Sequence, residues 1–63
     1  MNAAELLPMI RDLYSRMPET RHLLAWELQH TLWSLGYVDD LVDEGAIEAA
    51  RDVARTDLMG EAA

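Results

Sequence analysis

The sequence predicts an all-α fold, a compact three-helix bundle, and three observations predict it. Ten Leu and nine Ala stand beside three Val, two Ile and three Thr, and Phe is absent. Leu and Ala lose little side-chain freedom in a helix, whereas strands draw on β-branched and aromatic residues. Glycine and proline together number five, too few to punctuate an all-β chain of this length. Apolar residues recur at spacings of three and four, the period of one helix face. The expectation is one small helical domain spanning residues 1–63.

Helix 1 is expected to begin near Asn2, an N-cap, with Glu5 three residues on in capping-box position. Leu6, Ile10, Leu13, Tyr14 and Met17 then form one apolar arc. Pro8 interrupts it by removing the bond to Ala4. Either residues 3–7 are a loose turn or the helix bends; Pro8 as the first helical residue is the cheaper arrangement. Pro18 closes helix 1 and opens helix 2, with Glu19 at the positive end of the dipole. Helix 2 is expected over 18–35. Gly36 follows in the left-handed C-cap position, with apolar Tyr37 after it.

Asp39 or Asp40 then caps a third element, and Asp43 adds a second acidic group to its first turn. One unbroken helix from Asp40 places Asp43 on the same arc as Val42, Ala46, Ala49, Ala50, Val53 and Ala54. Burying a carboxylate there is expensive. The expectation is therefore a short helical turn at 40–44, a change of direction near Gly45, and a final helix over 46–59. Gly60 ends that helix, and residues 61–63 fray.

Charge is the strongest functional signal. Residues 1–35 hold four acids and three Arg, whereas residues 36–63 hold eight acids and two Arg. Glu48 with Arg51, and Asp52 with Arg55, stand three apart and are expected to pair weakly along the last helix. Asp39, Asp40, Asp43 and Glu44 have no base within helical reach. Either this is a solvated, solubilising face, or it is a patch that captures a basic surface. The same charge repels nucleic acid and anionic membranes, so neither is an expected direct ligand.

Helix 2 carries the second signal. Leu24, Leu28, Leu32 and Leu35 form a stripe expected in the core, while Trp26 and Trp33 lie on the other side with Gln29 and His30 between them. Either helix 2 is central and touches a helix on each side, or the tryptophans are an interface anchor, which Trp often is. In the second case Trp26, Trp33, His30 and Leu23 mark a partner-binding or dimer face.

No catalytic or metal site is expected. His22 and His30 are eight apart, and no nucleophile stands beside a base in a recognisable motif. Acids 39–44 lack the ligand pattern of a calcium loop, and with no cysteine there is neither a disulfide nor a thiolate zinc site. No cofactor is expected. The first ten residues lack the basic start and long apolar run of a signal peptide, so a soluble cytoplasmic protein is expected.

Below roughly 70–80 residues, one core seldom supplies more than about 3–5 kcal/mol of net stability, which also favours burial against a partner. In kind, as a tiny, acidic, cysteine-free helical chain, this sequence resembles small phage-encoded inhibitors of host defence and some antitoxins. That resemblance rests on no motif. The reading is a non-enzymatic inhibitor that presents Asp39, Asp40, Asp43 and Glu44, extended by Glu48 and Asp52, to a basic surface of a nucleic-acid-handling protein. Anti-CRISPR action or nucleic-acid mimicry is its most concrete form. The alternatives are a homo-oligomerising scaffold module built on the tryptophan face and an antitoxin-like regulator.

Overall fold

A computed structural model describes residues 1–57. Asn2 opens the first helix, α1, Ala3–Arg16. Its side chain accepts from the Glu5 amide at 2.9 Å, and the Glu5 carboxylate accepts from the Asn2 amide at 2.9 Å. Both arms of the expected capping box are therefore present. Pro8 lies inside this helix and does not start it. The cap secures the first turn, and Ala4, whose carbonyl loses its partner to Pro8, is exposed to water.

The expected helix over 18–35 is two elements. Pro18–His22 form a 3-10 turn, Leu23 and Leu24 are extended, and α2 runs over Ala25–Ser34. Thr20 explains the first break: its hydroxyl and its amide both donate to the Met17 carbonyl, at 2.7 and 2.9 Å, which tightens the turn. Glu27 explains the second start, since its carboxylate accepts from the Leu24 amide at 2.9 Å. The ending matches expectation. Gly36, at φ +86°, donates to Trp33 O at 3.1 Å and Tyr37 donates to Leu32 O at 2.8 Å, a Schellman pair.

No helical turn forms at 40–44, and the chain does not change direction at Gly45. Instead α3, Glu44–Arg55, starts at once, with Asp43 as its N-cap. The Asp43 carboxylate accepts from the Ala46 amide at 3.1 Å. Asp43 thus sits outside the helix, which removes the carboxylate-burial objection to a continuous segment. Gly45 matters through a close approach: a Cβ there would lie 2.9 Å from Asp43 Oδ2. The expected end of this helix at 59–60 and the fraying at 61–63 lie outside the described residues.

α3 is the central helix. α1 and α2 each pack more extensively against it than against each other, and the 3-10 turn packs on α1. Ile47, Ala50 and Ala54 of α3 meet Leu6, Ile10, Leu13 and Tyr14 of α1 and Ala25, Leu28 and Leu32 of α2 in one buried cluster closed by Val38. This corrects the alternative in which helix 2 lies between its neighbours. It also corrects the leucine stripe. Leu28 and Leu32 are buried, but Leu24 is 57% exposed at the N-cap and Leu35 is 51% exposed at the C-cap. Ala49 and Val53, which one unbroken helix from Asp40 would set on its apolar arc, face solvent.

Candidate functional site

The six carboxylates singled out by sequence, Asp39, Asp40, Asp43, Glu44, Glu48 and Asp52, are all exposed. Two of them bond to backbone amides. Asp40 accepts from the Leu41 amide at 2.7 Å, and Asp43 serves as the cap described above. A carboxylate with one such bond keeps its charge and a free oxygen, so local structure uses these groups without neutralising them. The expected pairs of Glu48 with Arg51 and Asp52 with Arg55 do not form. Arg51 instead approaches its neighbour Asp52 at 3.7 Å, with its own side chain mostly covered. Folding the Arg51 stem against the bundle leaves its guanidinium short of Glu48.

Glu44, Glu48 and Asp52 recur every four residues along α3, on the side away from Ile47, Ala50 and Ala54. Arg55 falls on the same side one turn beyond, so the far end of the row is diluted. Among the described residues, Asp39, Asp40, Asp43, Glu44 and Glu48 have no arginine within ion-pair distance. The uncompensated charge is densest where the loop enters α3. There Asp43 and Glu44 also face the positive end of the α3 dipole.

Trp26 and Trp33 are 54% and 49% exposed on α2. His30 stands between them, with ring centroids 6.3 Å from Trp26 and 6.4 Å from Trp33. The imidazole meets Trp26 edge-on, at 83°, and Trp33 at a tilt of 59°, so the three rings form one row. Leu23 does not join this face; it is half-buried and packs on the core. His22 is exposed in the 3-10 turn, away from His30 along the chain. Among the described residues no group of three or more His, Asp or Glu side chains is placed to hold a metal ion. No helix among them is long and apolar enough to cross a membrane.

Sequence reasoning missed a polar cluster around Tyr37. The Tyr37 hydroxyl donates to Asp12 Oδ2 at 2.6 Å and accepts from Arg16 Nη1 at 2.9 Å. This ties the loop after α2 back to α1. The Tyr37 hydroxyl, then Arg16, lowers the Asp12 carboxyl below its usual range, and the same bond to Asp12 raises the Tyr37 phenol. Burial raises the Tyr14 phenol. Arg11 pairs with Asp57 and so joins α1 to the chain just past α3. No sequence period announces partners 21 to 46 positions apart.

No protein-family model matches this chain, and neither a curated protein nor a solved structure matches it.

Proposed function

We propose that this is a non-enzymatic binding protein whose carboxylate segment captures a basic surface on a partner protein. The most concrete form is an inhibitor that occupies the nucleic-acid groove of a host protein or complex, as an anti-CRISPR protein would. One observation carries this reading: Asp39, Asp40, Asp43, Glu44 and Glu48 are exposed and lack an arginine partner, in a chain of net charge −7. Such a patch speeds encounter with a cationic groove and loses strength as salt screens it.

The test is displacement of duplex DNA from a nucleic-acid-handling complex of the host, measured at about 50 and about 200 mM salt. The wild-type protein should displace DNA at the lower salt and much less at the higher. Asp40→Arg with Glu44→Arg should abolish displacement and leave far-ultraviolet helicity intact. Full displacement by that double variant removes the proposal.

A second reading is favoured by the exposure of both indoles: a self-association module seamed along Trp26, His30 and Trp33. In that case the carboxylates only keep the assembly soluble. Sedimentation at micromolar concentration separates the two, because self-association requires a dimer and capture requires only a monomer.

A further inference from the structure

Gln29 joins the two surfaces that this fold leaves uncovered. It stands three residues after Trp26 and four before Trp33, on the flank of α2 between the indoles and the core. Its Nε2 donates to the Val42 carbonyl oxygen at 2.6 Å. Val42 packs on the core, while Leu41 before it and Asp43 after it are exposed. That bond ties the chain at Val42, between exposed Leu41 and Asp43, to the flank of α2 that carries the tryptophans. The carboxylate segment therefore enters α3 beside an aromatic strip.

We infer that the strip and its edge are one docking site, and that its occupant is a basic amphipathic helix of a partner protein. Apolar side chains of that helix lie on Trp26 and Trp33, and its Arg or Lys residues lie over Asp39, Asp40, Asp43 and Glu44. The inference rests on the capture reading above and adds the apolar half of the contact. Spacing supports it. The indoles are seven residues, or about two helical turns, apart, which matches the i, i+7 anchors with which helices dock. His30 lies against both rings, so the three aromatic side chains offer one continuous surface.

Charge complementarity decides among occupants. A second copy brings its own net charge of −7 and the same anion-edged strip, so it offers this carboxylate edge no cationic face. Nucleic acid and anionic lipid offer none either. A helix with one apolar face and one cationic face gains from both halves of the site.

The test uses the intact protein, whose only tryptophans are these two, so indole emission reads the face directly. Three synthetic peptides of about five helical turns are titrated. One carries Leu on one face and Lys on the other. A second keeps the Lys and replaces every Leu with Ser. A third pairs the Leu face with Glu. The Leu/Lys peptide should shift indole emission to the blue and bind at least about tenfold tighter than the Ser/Lys peptide. The Leu/Glu peptide should not bind. Trp26→Ser with Trp33→Ser should bring the Leu/Lys peptide down to the Ser/Lys level, read by calorimetry.

Equal affinity for the two cationic peptides, or binding without an emission change, overturns the composite site and leaves cationic capture standing. Failure of both cationic peptides to bind overturns the two together. Tight binding of the Leu/Glu peptide, or a dimer with blue-shifted emission in the protein alone, also overturns the inference. The peptide comparison on wild-type protein needs no variant, so it stands even if the double substitution unfolds.

Discussion

α1 and α2 are both amphipathic helices of one small bundle, yet they use their apolar residues differently. α1 sends Leu6, Ile10, Leu13 and Tyr14 fully into the core. α2 buries Ala25, Leu28 and Leu32 and turns both tryptophans to solvent. The difference comes from α3, which packs on both helices and leaves each with one covered side. A second apolar stripe on α2 therefore has nothing to pack against within the described chain. Neighbours, more than a helix's own pattern, decide whether a stripe becomes core or surface.

Substitutions should break that comparison most visibly in the core. Ile10→Ala, at a fully buried site, should cost about 2–5 kcal/mol. That matches the roughly 3–5 kcal/mol such a domain holds, so urea titration should find this variant largely unfolded. Trp33→Ser removes a larger side chain from α2 but, with half of it already wet, should cost only about 2 kcal/mol and leave the domain mostly folded. A Trp33 variant as unfolded as Ile10→Ala would mean that Trp33 is core.

Pro8→Ala sharpens the contrast from the other direction. It restores the missing bond to Ala4 and should raise stability by about 1–3 kcal/mol, seen as a higher urea midpoint with unchanged slope. At the start of α3, Asp43→Ala should cost about 1 kcal/mol through loss of the cap. Asp43→Asn keeps an acceptor for the Ala46 amide and removes one charge. It should preserve the thermal midpoint while weakening binding to a cationic peptide, which separates the residue's two jobs.

The smallest expected effect is a pH dependence. The Asp12 carboxyl is lowered in the folded protein by Tyr37 and Arg16. Its contribution is complete above the ordinary carboxylate range and disappears as pH falls through the depressed value. Tyr37→Phe should remove this contribution, so the gap between variant and wild type narrows on acidification. The Tyr37 and Tyr14 phenols titrate later when folded, so what they add is present below about pH 10 and lost above it.

Local signals made much of this fold legible. The Asn2–Glu5 box, the Gly36 ending and the α1 arc each depend on residues within a few positions of one another. The break at Leu23–Leu24 was hidden because neither glycine nor proline stands there, and a leucine at an N-cap gives no side-chain signal. The order of packing was hidden too, since period alone cannot say which of three helices lies in the middle. At the candidate site, sequence gave the carboxylates and the tryptophans as separate groups. Their connection runs through Gln29 and the Val42 carbonyl, thirteen positions apart, and no repeat encodes it.

Quenching of indole fluorescence by caesium and by iodide, each scaled to its effect on free tryptophan amide, tests the central claim most directly. Solvent-facing tryptophans edged by carboxylates should be quenched more by the cation than by the anion. Asp40→Asn with Glu44→Gln should shrink that preference. Blue-shifted emission protected from both ions, or stronger quenching by iodide, would contradict the account.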